Sequence, residues 1–297
     1  MITKLASYNI QYGKGKDEQF DLDRIIAELG APDLIALQEV ERNNAQRGMV
    51  DQVAEIAGRL DHMHWVYGPG IDVDASAPKA AKPAHCRRQF GNMVLSRWPI
   101  LSVINHTLPK VALAQIFHLQ RTLVETVIDH PDGKLRFCSV HLDHVSTDTR
   151  MAQVDYMVNL MTNGQHRGAS WGGQLKTNDW MERPEPQQPA RAVIMGDMNF
   201  TPNGAEYTRV VGDMSNLHGR TTKAGGLADA WLLAGHDEAQ GDTLPRDGKP
   251  AMRIDHCFVT ADLLDSVRTM TIGNDSQGSD HQPIFVEIDL ADSAKAI

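Results

Sequence analysis

The chain has 297 residues, 41% hydrophobic and 23% charged, which is enough apolar material for a sizeable core without disulfides or a structural metal. Its formal net charge of −9 withholds the broad positive field that supplies non-specific nucleic-acid affinity, which counts against a generic nuclease. The three cysteines, Cys86, Cys138 and Cys257, are an odd number at wide spacing, so buried free thiols are expected. Nothing in the sequence resembles a leader or a membrane span, and the expected location is cytoplasmic and reducing.

In chain order, a strand is predicted over 2–10, followed by the loop Gly13-Lys14-Gly15-Lys16. An amphipathic helix follows over 21–29, apolar at Leu22, Ile25, Ile26 and Leu29 with an acidic start, and Pro32-Asp33 ends it. The short apolar run 34–38 reads as a buried strand and 50–60 as a second helix. Residues 68–90 read as loop, with Pro69, Pro78 and Pro83. Within them, Lys79, Lys82, Arg87 and Arg88 stand in a stretch without an acid. Strands at 92–96, 100–106, 121–129 and 135–142 suggest an antiparallel sheet, and a helix follows over 147–161. Residues 163–190, with Trp171 and Trp180 and no helical period, read as a loop insertion. A strand at 192–196, helices near 204–211 and 227–233, and strands at 253–259 and 283–290 complete the alternation. With no repeat and no linker, residues 1–297 are expected to form one α/β domain, a two-sheet core with helices outside.

Chemistry-bearing residues gather where strands meet loops. Gly196-Asp197-Met198-Asn199 follows the apolar run Ala192-Val193-Ile194-Met195, and Ser279-Asp280-His281 precedes the last strand. Asn9, Glu39 and His141 end three other strand-like runs, and Asp255 lies in Arg253-Ile254-Asp255 as a candidate orienting partner for a histidine. Each alone reads as a turn or surface residue. Together they supply the carboxylates and amides that hard divalent cations take, and the imidazoles that phosphoester hydrolysis uses. No cysteine–histidine cluster has zinc-site spacing.

The ordered set Ser7-Tyr8-Asn9-Ile10, Leu37-Gln38-Glu39-Val40, Gly91-Asn92-Met93-Val94-Leu95-Ser96-Arg97, Ser139-Val140-His141-Leu142, Gly196-Asp197-Met198-Asn199, Arg253-Ile254-Asp255 and Ser279-Asp280-His281 resembles the endonuclease/exonuclease/phosphatase superfamily. That group includes pancreatic-type DNases, apurinic endonucleases, bacterial sphingomyelinases and inositol polyphosphate phosphatases. The resemblance implies an α/β (α+β) four-layered sandwich, two mostly antiparallel sheets packed face to face with helices outside and the site at one edge. It implies that Glu39 binds Mg²⁺ or Mn²⁺, with Asn9 adjacent and Asp280 supporting the metal. Asp197 would orient or deprotonate the attacking water, and Asn199 would fix water and phosphate. His141 and His281 would hydrogen-bond phosphate oxygens, and Asp255 would orient His281. An aspartate and a histidine compete for the role of base. Arg121 and Asn92 are carried over as substrate-binding residues. Many relatives keep an acid two residues after the first Asn, where this chain has Gln11 and no carboxylate for a second metal contact. The Phe90-Gly91-Asn92 sequence is closer to small uncharacterised phosphoesterases of the group than to its DNA-repair members.

Under that arrangement, loops 68–90 and 163–190 border the site. With the acidic balance, the expected substrate is a small phosphodiester or phosphomonoester, a lipid headgroup included. The alternative is a nuclease acting on DNA or RNA. A non-catalytic binder of phosphorylated ligands ranks last, because none of the key acids or histidines is missing.

Overall fold

The protein is described from a computed structural model covering residues 1–76, 86–168, 170, 188–246 and 248–291. In chain order its elements are β1 (Ile2–Asn9), α1 (Leu22–Leu29), β2 (Leu34–Arg42), α2 (Gln52–Arg59), β3 (His64–Asp74), β4 (Arg87–Ser96), β5 (Ile100–Thr107), β6 (Thr122–Ile128) and β7 (Leu135–His141). These are followed by α3 (Thr147–Arg167), β8 (Ala192–Asp197), α4 (Ala205–Val211), β9 (Met214–Ser215), β10 (Gly219–Arg220), β11 (Leu227–Asp229), α5 (Ala230–Leu233), β12 (Asp255–Thr260), β13 (Val267–Ile272) and β14 (Ile284–Asp289). One six-stranded sheet runs β13-β14-β1-β2-β4-β3, and the other runs β11-β12-β8-β7-β6-β5. Each is antiparallel except for one central parallel pair, β1 with β2 and β7 with β8.

The two-residue period of the strands sorts their side chains into layers. Leu5, Leu34, Ala36 and Val94 of the first sheet meet Phe137, Val193, Met195, Cys257 and Val259 of the second in one cluster between the sheets. The alternate residues Tyr8, Ile35, Leu37 and Leu95 face Ile25 and Leu29 of α1 and Val53 and Ile56 of α2. On the far side, Cys138, Val140, Ile194 and Phe258 face Val154, Met157 and Leu160 of α3 and Tyr207 of α4. Helix, sheet, sheet and helix are therefore the four layers. Helices α1, α2 and α3 start at capped residues, where side chains of Asp21, Asp51 and Ser146 accept from the backbone N–H three positions on, at 2.9, 3.1 and 3.2 Å.

A polar seam crosses the apolar interface between the sheets. The Gln38 amide donates to Ser139 Oγ at 3.0 Å, Ser139 Oγ donates to the Leu37 carbonyl at 3.0 Å, and Ser7 bonds the same Gln38 side chain. Asn92 Nδ2 donates to the carbonyls of Thr122 and Ser139, at 2.9 and 3.3 Å.

Several elements differ from the sequence reading. Of the segment read as loop over 68–90, residues 68–74 and 87–90 are instead strand, in β3 paired with β4, across which the register shifts between Pro69 and Ile71, and 77–85 lie outside the described residues. Gly68-Pro69-Gly70 mimics a turn but is a bulge, one of the few places a strand holds proline. Strand β2 runs on to Arg42, and α3 extends to Arg167, so its last residues fall inside the expected insertion. The helix expected over 227–233 is strand to Asp229 and helix only from Ala230. Strand β13 was not foreseen. Lys79, Lys82, Trp171 and Trp180 lie outside the described residues. All three cysteines are free, with Cys138 and Cys257 buried. No helix among the described residues is long and apolar enough to cross a membrane.

Candidate active site

The inward-facing rows of both sheets turn polar at one edge. In β1 the row passes from Leu5 through Ser7 to Asn9, and in β7 from Phe137 through Ser139 to His141. In β8 it ends on Asp197, and antiparallel β12 begins on Asp255 at the same level, because Asp255 pairs with Asp197 and His141 pairs with Asp197 on the other side. Gly196 makes the β7–β8 approach possible. Its φ is 149°, and a Cβ there would overlap the Val140 carbonyl oxygen.

Glu39 reaches this edge by a break in the alternation. The β2–β4 register shifts between Leu37 and Val40, leaving Gln38 and Glu39 opposite Asn92 alone. Strict alternation would send Glu39 to the outer face with Leu37. The bulge, with Glu39 in the left-handed region at φ 59°, turns it into the cleft instead. Asn199 has φ 53°, and its backbone N–H donates to Asp197 Oδ1 at 3.0 Å while its amide donates to the Leu142 carbonyl at 3.1 Å.

Asp197 is the hub. Its Oδ2 accepts from Asn9 Nδ2 at 3.0 Å and lies 3.2 Å from His141 Nε2 and 3.7 Å from His281 Nε2. Burial alone would raise its pKa, but His141 and His281 hold it well below the usual carboxylate range. His141 is neutral for a geometric reason. Arg121 Nη1 lies 3.1 Å from His141 Nδ1, and a guanidinium only donates, so Nδ1 accepts and the proton sits on Nε2, toward Asp197. Burial, followed by Arg121, lowers the His141 pKa to about 4. His281 is the opposite case. Burial opposes its charge, yet Asp255, 2.8 Å from its Nδ1, and then Asp197 outweigh that and raise its pKa to about 10.

Glu39 has no strong counter-charge. Asn9 Nδ2 is 3.4 Å away, and its only ion-pair neighbour among the described residues is the His141 imidazole at 4.0 Å. Burial raises its pKa, opposed by the charges of Arg121 and His281 and aided by Asp280 and Asp197. Asp280 stands outside the cleft lining, partly exposed, and acts on Glu39 and His281 through its charge. Ligand atoms of Asp197, Asp255 and His281 also lie within 4.8 Å of one another. Since His281 Nδ1 is already bonded to Asp255, this group is better satisfied by sharing protons than by holding a cation.

The structure thus brings together Asn9, Glu39, His141, Asp197, Asn199, Asp255 and His281. Arg121 lines the same cleft, but its Nη atoms are engaged by His141 and by His144, whose Nδ1 is 3.0 Å away. Asn92, expected to touch substrate, does not line the cleft; its amide is a brace between the sheets. The sequence reading missed His144, although the pair His141-Leu142-Asp143-His144 was visible. It also missed Thr243, a buried hydroxyl that accepts from the backbone N–H groups of Ile254 and Asp255 at 3.1 and 3.0 Å and so fixes where β12 begins. Neither residue follows a strand-end pattern, which is why neither stood out.

The chain matches the family model described as Endonuclease/Exonuclease/phosphatase family over residues 6–281. No curated protein matches it in sequence. Among solved structures, an endonuclease/exonuclease/phosphatase from Beutenbergia cavernae is similar with a TM-score of 0.64 at 18% identity, over 97% of this chain and 71% of that one. A mannosyl-6-phosphatase from Bacteroides thetaiotaomicron gives a TM-score of 0.61 at 15% identity, over 97% of this chain and 99% of that one. D. rerio TDP2, complexed with a single strand DNA product, gives 0.60 at 17% identity with the same coverages, 97% and 99%. At such identities these likenesses establish the fold alone. The family model spans nearly the whole chain, and the chain therefore belongs to the endonuclease/exonuclease/phosphatase family.

Proposed function

We propose that this protein is a Mg²⁺- or Mn²⁺-dependent hydrolase of a small phosphoester, a diester or monoester, lipid headgroup esters included. The observation that carries this reading is the convergence of two sheets' polar strand ends on Asp197, with Asn9, His141 and His281 all reaching its Oδ2.

The donor set fits a hard divalent cation. Glu39 is a partly buried carboxylate short of counter-charge, with the Asn9 carboxamide beside it and the Asp280 charge nearby. Glu39 and Asn9 would hold the ion, with Asp280 supporting. When bound, it supplies Lewis-acid neutralisation of the phosphate charge.

The remaining work belongs to the chain. His281, donating from Nδ1 to Asp255, keeps Nε2–H for a non-bridging phosphate oxygen, while neutral His141 directs its own Nε2–H to Asp197. With both imidazoles acting as donors, the proton of the attacking water passes to Asp197, whose Oδ1 is steadied by the Asn199 N–H. Arg121 orients His141 rather than substrate. The free cysteines, two of them buried, support a reducing, cytoplasmic setting.

The test is a panel of bis-p-nitrophenyl phosphate, p-nitrophenyl phosphate, sphingomyelin, inositol phosphates, plasmid DNA and RNA, each with Mg²⁺ and with Mn²⁺. Turnover of a small ester without DNA or RNA cleavage supports the reading. Efficient, salt-sensitive nucleic-acid cleavage replaces it with the nuclease alternative. No turnover of any phosphoester removes it.

A further inference from the structure

The cleft, about 340 Å³, has a second half that the proposed hydrolysis leaves unused. Beyond the polar floor it is lined by Ile71 of β3, Phe90 of β4, and Phe117 and Leu119 from the segment joining β5 to β6. Ile71 and Phe90 pair in register across the hairpin, just past the bulge at Pro69. Phe117 is 82% exposed and its neighbour Ile116 59%, so this wall offers bare apolar area beside the catalytic groups. Strand alternation places Arg88 on the same face as Phe90, and Arg88 also lines the cleft. Its neighbours are neutralised, Arg87 by Asp72 and Arg47 by Glu41, whereas Arg88 has no hydrogen bond or ion pair among the described residues.

Resting on the hydrolase reading above, we infer that this trough receives an apolar group, aryl or alkyl, carried on the scissile phosphate as its ester. The side chains of Ile71, Phe90, Phe117 and Leu119 offer no donor or acceptor to sugar or polyol hydroxyls, which would lose water without replacement against them. An aromatic or alkyl group loses nothing and covers Phe117, Phe90, Ile71 and Leu119. The Arg88 guanidinium, without a partner among the described residues, complements the anionic phosphate that the same ligand must carry. Trough and catalytic floor are one continuous cleft, so one ligand spans both. Phe117 and Phe90 are thereby specificity-determining residues, and Arg88 contributes affinity for the phosphate common to every ligand.

Calorimetric titration of the Mn²⁺-loaded protein with phenylphosphonate, methylphosphonate and glycerol phosphate tests this without requiring turnover. Phenylphosphonate is expected to bind about tenfold tighter than methylphosphonate, as the partial burial of one ring provides. Glycerol phosphate is expected to gain nothing over methylphosphonate. Phe117→Ala, at a side chain outside the core, should shrink the phenyl-to-methyl ratio toward one. Arg88→Ala should weaken both phosphonates together and leave that ratio unchanged. Equal affinity for the phenyl and methyl ligands, or a ratio indifferent to Phe117→Ala, overturns the inference. A clear phenyl preference in a protein that cleaves no phosphoester upholds the trough and removes only the hydrolase reading.

Discussion

His281 Nδ1 lies 2.8 Å from a carboxylate oxygen of Asp255, the first residue of β12. The bond fixes the ring and supplies the counter-charge that keeps a buried imidazole protonated. Asp255→Asn retains the shape and removes the charge. It is expected to lower kcat by about 10²–10³ with a smaller effect on KM, since a donor to developing charge is lost. Steady-state kinetics at neutral pH, with circular dichroism to confirm folding, check this; a kcat near wild type would remove His281 from the chemistry.

Asp197 gathers donors from both sheets and is the acceptor proposed for the water proton. Asp197→Ala is expected to cost at least about three orders of magnitude in turnover with Mn²⁺ on whichever ester is cleaved. An unchanged rate would leave the proposed chemistry without its base.

Glu39 is the carboxylate most in need of a cation. EDTA should abolish activity and added Mg²⁺ or Mn²⁺ restore it. Mn²⁺ should raise the melting temperature of the wild type but of Glu39→Gln far less, because a ligand stabilises only the state that binds it. Identical metal-induced shifts in the two proteins would place the ion elsewhere.

Gly196 occupies a backbone conformation and a space that both exclude a side chain. Gly196→Ala is expected to destabilise the fold by about 2–4 kcal/mol, as strand β8 must retreat from β7. Urea denaturation measures the loss, and unaltered stability would contradict the described approach of the two strands.

Outside the cleft lining, Glu125 is buried among His106 at 2.9 Å, Arg167 at 2.7 Å and Arg136 at 3.2 Å. Burial raises its pKa, but the bonds from His106 and Arg167 outweigh that and lower it from 4.5 to about 2. A depressed carboxylate stabilises the fold fully above its unfolded pKa and loses that contribution as pH falls toward the folded value. Roughly 3 kcal/mol should therefore fade between pH 4.5 and 2, and Glu125→Gln should flatten this part of the stability profile. Denaturant midpoints measured across that window decide the point.

The alternation of apolar residues ending in a polar one marked Asn9, His141 and Asp197 directly in the sequence, and the strands carrying them lie close to where that pattern put them. Glu39 was marked by its place after the apolar run 34–38, but regular alternation points it the wrong way, and the bulge that turns it into the cleft has no local signature. The β3–β4 hairpin was hidden for a related reason, since Gly68-Pro69-Gly70 looks like a turn when read alone. Strand β13 shows only Val267 and Met270 buried, across a register shift, which breaks the two-residue period. Asn92 was recognised but misplaced, for a sequence does not say which polar side chain faces a ligand and which faces the opposing sheet. His144 depends on Arg121, a partner distant in the chain that no spacing rule connects.

The amides and hydroxyls of Gln38, Ser139, Ser7 and Asn92 have a consequence beyond their own satisfaction. Greasy surfaces attract without preferring one offset over another, so two β-layers joined only by Leu, Val and Ile could slide by a fraction of a residue at little cost. Directional bonds do not tolerate that slip. Gln38 and Ser139 act as an index pin, and the separation between groups contributed by opposite halves of the sandwich is set by it.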